Sequence, residues 1–137
     1  MFQNEKRGEK GWDVDIDIAE SGESVSFFKN TIVRILLSAN VLFLSASFSV
    51  LGYVIRPSEN LFILHYNVYF GVEIQGIWWQ AFILPLTGVL FFFGHLFFAS
   101  RFYGKAERVA SYLMLFGSWL ISVGILVASV GIAFINY

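Results

Sequence analysis

The sequence predicts an all-α membrane protein: three transmembrane helices, with a short extended or β-hairpin segment in the outer loop between helices 1 and 2. Three observations carry that expectation. Long apolar runs cover about 31–55, 78–102 and 109–136, and each exceeds the roughly 20 residues a helix needs to cross a bilayer core. The chain is 57% hydrophobic and 19% aromatic, against about 45–50% apolar for a soluble domain. Between the first two runs, residues 61–75 switch to a period of two. The 137 residues therefore divide into a tail, 1–29, and one membrane domain, 30–137, with the outer loop at 57–77.

Composition removes several chemistries. There is no cysteine, hence no disulfide, thiolate metal site or cysteine nucleophile. A net charge of −1 gives no basis for nucleic-acid binding. The first 26 residues are polar and acidic and lack the apolar core of a cleavable leader, so helix 1 is read as an uncleaved signal anchor.

Basic residues set the expected topology. Lys6, Arg7, Lys10, Lys29 and Arg34 lie before or at the start of helix 1, and Arg101, Lys105 and Arg108 lie between helices 2 and 3. Only Arg56 borders the intervening loop. Positively charged loops stay on the cytoplasmic side, so the amino terminus is expected inside and Tyr137 outside, in a bacterial inner membrane. Arg34 snorkels its guanidinium to the headgroups, and Trp78 and Trp79 mark the outer interface.

The cytoplasmic tail is acidic and read as largely disordered. Within it Trp12, Val14, Ile16 and Ile18 alternate with Asp13, Asp15 and Asp17, which would place apolar side chains on one face of a strand. Two readings fit: a linear motif that adds a strand to a partner, or a solvated acidic segment. In the outer loop, Phe62, Leu64, Tyr66, Val68, Phe70, Val72 and Ile74 share one parity, with His65–Asn67 or Gly71 as turning points. Tyr66, Tyr69 and Phe70, with Trp12, Val14 and Ile16, form the candidate interaction surface. The alternative for the loop is a structural cap over the helices.

Inside the membrane, small residues mark faces for close helix approach: Ser45/Ser49, Ser118/Ser122 and Gly124/Ala128. Pro85 is expected to kink or loosen helix 2. At about 1.5 Å per residue, Asn40, His95 and Ser118 fall at similar depth, and a neutral His95 bonded to Asn40 or Ser118 makes an intramembrane polar cluster. The helices contain no Asp or Glu, which speaks against a proton pathway. His65 and Glu73 are too few to make a metal or acid–base site.

From His65 the chain reads HYNVYFGVEIQGIWWQ, followed by LPLTG at 84–88, a short basic turn and ERVASYLM. Over about 61–115 this resembles a group of small uncharacterised bacterial three-helix inner-membrane proteins with an HYNxYFGxD-like outer segment. Glu73 stands where the group has Asp, and Ile77 where a proline is common. The resemblance implies the topology and no activity. With no nucleophile–base pair and no ligand cluster in view, the expected function is non-enzymatic, without cofactor. The protein is read as binding or scaffolding other cell-envelope proteins. The alternative is a subunit of an oligomeric transporter or channel, since three helices alone enclose no pore. The expected partners are the lipid bilayer, an envelope protein or a second copy.

Overall fold

The computed structural model describes residues 26–137. Three long helices, α1 (Thr31–Val54), α2 (Ile83–Gly104) and α3 (Arg108–Ile135), run antiparallel in sequence. A two-stranded antiparallel hairpin, β1 (Phe62–Asn67) and β2 (Gly71–Gly76), lies between α1 and α2. One-turn 3-10 segments, Phe27–Lys29 and Trp78–Phe82, lead into α1 and α2. Thr31–Val54, Trp78–Gly104 and Arg108–Ile135 are each long and apolar enough to cross a membrane, so the chain is a multi-pass membrane protein. The tail residues Trp12, Val14 and Ile16 lie outside the described residues.

Each helix boundary has a local cause. Asn30 caps α1: its Oδ1 accepts the amides of Ile32 at 2.9 Å and Val33 at 3.4 Å. α1 stops before Arg56, which Pro57 drives out of the helical region. Pro85 does not kink a continuous helix. The α-helix begins only at Ile83, so Pro85 falls in its first turn, where a missing N–H costs nothing. The loosening appears upstream, as the 3-10 turn Trp78–Phe82, whose start is held by Gln80 Oε1 accepting the Ile77 amide at 3.0 Å.

α2 ends in a Schellman motif. The Glu107 amide bonds Phe102 O at 3.1 Å, and the Ala106 amide bonds Tyr103 O at 3.1 Å. Ala106 occupies the left-handed position at φ 63°, where glycine is usual. Arg101 and Arg108 at this end lie over the rings of Phe97 and Tyr103, at 5.8 and 5.7 Å.

The central helix is α3, which packs along both α1 and α2, while α1 and α2 touch each other little. Its buried residues are Ser111, Leu115, Ser118, Ser122, Ile125, Ser129 and Ala133, spaced by threes and fours with a seven-residue repeat. Small side chains dominate that seam and let the backbones approach, which is how helices associate where lipid offers no hydrophobic drive. α1 meets it with Val33, Asn40, Leu44, Ser47 and Leu51, also near a seven-residue repeat. All three helices converge at Gly88, where a Cβ would stand 2.5 Å from Ile125 Cδ1 and 2.7 Å from Leu44 Cδ2. Of the three small-residue pairs, only Ser118/Ser122 is buried; Ser45, Ser49, Gly124 and Ala128 face outward.

Relieving the left-handed strain at Ala106 outweighs the extra entropy of an unfolded glycine. Ala106→Gly should raise stability by about 0.5–1 kcal/mol. Unfolding of the purified protein in detergent or bicelles measures it, and a loss of stability would show the turn is not strained.

Candidate functional site

Two constructions stand out: a polar network inside the bundle and an aromatic hairpin mounted at one end. Asn40 is fully buried. Its Oδ1 accepts Ser118 Oγ at 2.9 Å and Ser122 Oγ at 2.8 Å, and its Nδ2 donates to Leu36 O at 2.9 Å. The Ser122 proton is shared, because Ser118 O also lies 3.1 Å from Ser122 Oγ. Both oxygen lone pairs of the amide are thus used, one turn apart on α3. The edge-on contact of Phe43 with Trp119, 6.1 Å between ring centres, packs beside the same pair of helices.

Of the expected cluster, Asn40 and Ser118 meet and Ser122 joins them, but His95 does not. Its Nδ1 donates to Phe91 O, one turn back on its own helix, at 2.8 Å. The residues of α2 that face inward are Pro85, Gly88, Phe92 and Ala99, and His95 lies off that stripe, on a groove with Leu90, Phe91 and Phe98. Equal depth did not bring it to Asn40, because depth leaves the azimuth of the helix open.

Two further asparagines fasten the ends. Asn30, besides capping α1, donates from Nδ2 to Tyr112 Oη at 2.8 Å and to Tyr103 Oη at 3.3 Å. Phe27 is buried against Tyr103 there, ring centres 5.3 Å apart, while its neighbour Phe28 is exposed. At the other end Asn136 holds the hairpin: its Oδ1 accepts the Ile63 amide at 2.8 Å, and its Nδ2 donates to Ile63 O at 2.7 Å and to Ile132 O at 2.8 Å. One side-chain amide thereby imitates a neighbouring strand. Neither role was visible in the sequence; an asparagine at the end of an apolar run was the only signal.

A two-stranded hairpin is marginal by itself. Here β1 is also anchored by Phe62 and Leu64, packed on Leu51, Ile55 and Ala81. The pairing slips twice: Ile63 faces Gln75, His65 faces Ile74, and Tyr66 faces Val72. Leu64 and Glu73 are therefore each an extra residue, one bulge on each strand. The parity expected from the sequence breaks at those bulges. Phe62 and Leu64 pack inward, while Tyr66, Val72 and Ile74 are exposed. The chain reverses at Val68–Phe70, between the anticipated turning points: Asn67 Oδ1 accepts the Tyr69 amide at 2.9 Å, and Gly71 takes φ 80°. Val68, Tyr69 and Phe70 are 84%, 91% and 81% exposed. β2 has no further strand beside it among the described residues.

His65 Nε2 lies 3.2 Å from Glu73 Oε2, with the side chains 58% and 38% exposed, a contact worth little energetically. No group of three or more metal-ligating side chains occurs among the described residues.

No protein-family model, curated protein or solved structure matches this chain. The site is read from its own chemistry.

Asn40→Leu should destabilise the bundle by about 1–2 kcal/mol, the loss of two interhelical bonds offset by the serines turning to their own helix. His95→Leu, which breaks no bond between helices, should change stability by less than about 0.5 kcal/mol. Steric-trapping or detergent unfolding ranks the two, and a larger effect at His95 would refute the arrangement. Asn136→Leu should leave the helices intact and speed hydrogen exchange at Ile63 and its strand; unchanged exchange there would show the amide clamp carries no weight.

Proposed function

We propose that this protein is a non-enzymatic integral membrane protein of the bacterial envelope that docks another envelope protein through its hairpin. The carrying observation is the mounting of three large apolar residues, Val68, Tyr69 and Phe70, in solvent on a hairpin held by Asn136, Phe62 and Leu64. Exposed apolar side chains on a fixed support favour association, because the ordering cost is already met. The open edge of β2 adds a row of backbone groups that an extended segment of a partner pairs with. The distribution of lysine and arginine supports a cytoplasmic amino terminus in the inner membrane, which puts the hairpin on the outer face.

A photocrosslinking residue at Tyr69, used in cells, should capture one discrete heterologous protein, identified by mass spectrometry. Tyr69→Ser with Phe70→Ser should abolish the same capture from a probe at Val72 while leaving protein levels unchanged. Capture of a second copy alone would replace docking with the oligomeric channel or transporter reading.

A further inference from the structure

A cavity of about 810 Å³ lies beneath the hairpin, between it and the adjoining ends of α2 and α3. Its helix side is apolar, formed by Ile83, Leu84, Ala128, Gly131 and Ile132. At its other end the hairpin supplies His65, Tyr66 and Gln75 beside Leu64 and Ile74, and the 3-10 turn supplies Gln80. The polarity gradient therefore runs along the helix axes, as it does from the acyl region to the headgroups of a bilayer.

The apolar wall is unusually low. A Cβ at Gly131 would meet nothing within 4 Å, and Ala128, one turn earlier, is exposed. Thr87, the one hydroxyl set among these apolar residues, donates to Ile83 O at 2.6 Å. Water would find no strong hydrogen-bonding partner along that wall. The wall continues into the surface that the helices offer to hydrocarbon, where Leu86, Leu90, Val127 and Val130 are exposed. His65, whose Nε2 contacts Glu73, reaches the rim, and no lysine or arginine lines the cavity.

We infer that this cavity seats an acyl chain of a zwitterionic phospholipid, drawn from the adjoining leaflet, with its headgroup against the hairpin. The chain lies over Ala128 and Gly131. The ester and headgroup oxygens meet the Tyr66 hydroxyl and the Gln75 amide. A rim of hydrogen-bonding groups without lysine or arginine offers no counter-charge to an anionic headgroup, and so matches one without net charge better. The lipid fills the space between hairpin and helices, so it forms part of the hairpin's support.

The test uses the full chain in vesicles of phosphatidylethanolamine and phosphatidylglycerol, with a trace of phosphatidylethanolamine bearing a diazirine on its acyl chain. After illumination, labelled peptides are mapped by mass spectrometry. Labelling around Ala128–Ile132 and Ile83–Leu84 should exceed that around Gly94 and Gly117 several-fold. Gly131→Leu, which fills the cavity, should remove the excess. Gly117→Leu, at another helix position where a Cβ meets nothing, should keep it. Melting of both variants near the parent value shows that they fold. Uniform labelling along the helices, an unaltered pattern in Gly131→Leu, or a second protein copy crosslinked over the cavity would each overturn the inference. Equal labelling by a phosphatidylglycerol probe would overturn the zwitterionic assignment.

Discussion

A carboxamide placed where neither water nor lipid will bond it is the constraint on which this structure turns. Asn40 on α1 presents an oxygen with two lone pairs, and α3 answers with Ser118 and Ser122 at the spacing of one turn. Sliding α3 by one residue, or rotating it, would leave that oxygen bare in a medium of low dielectric, at a cost of about 1–3 kcal/mol. Apolar packing between lipid-solvated helices discriminates weakly among registers, since lipid tails are as apolar as leucine. The amide supplies the discrimination, much as a single core asparagine sets the register of a coiled coil.

The remaining architecture follows from α3 serving as the shared partner. Its serine-rich seam admits α1 closely, and Ile125 reaches the notch left by Gly88 on α2. Asparagines then appear at three heights. Asn30 ties the basic end through Tyr103 and Tyr112, Asn40 ties the middle, and Asn136 ties the hairpin to the end of α3. In each case one short side chain satisfies groups from two or three elements. The hairpin gains a fixed orientation from this, and its aromatic tip is held in solvent instead of folding back on the helices.

Much of this was legible in the residues. Length and apolarity placed the helices at 31–55, 78–102 and 109–136, close to the observed spans, and the period of two located the strand pair. What escaped was angular. The sequence places Asn40, His95 and Ser118 at one depth, but whether side chains meet depends on helix rotation, and α2 turns His95 away from the seam. The bulges at Leu64 and Glu73 undid the parity argument, because one extra residue reverses every face beyond it. Asn136 bonds across 73 positions, a distance over which local pattern carries no information.

The position of α3 in the chain gives the fold an order of assembly. α1 and α2 enter the membrane first and have little to hold to in one another. At ~5–20 residues per second, synthesis continues for roughly several seconds between the end of α1 and the completion of α3. Throughout that interval the carbonyl oxygen of Asn40 has no serine to accept from, and the hairpin lacks the amide that clamps it. The lateral order of the bundle is thus fixed last, by the helix that is synthesised last.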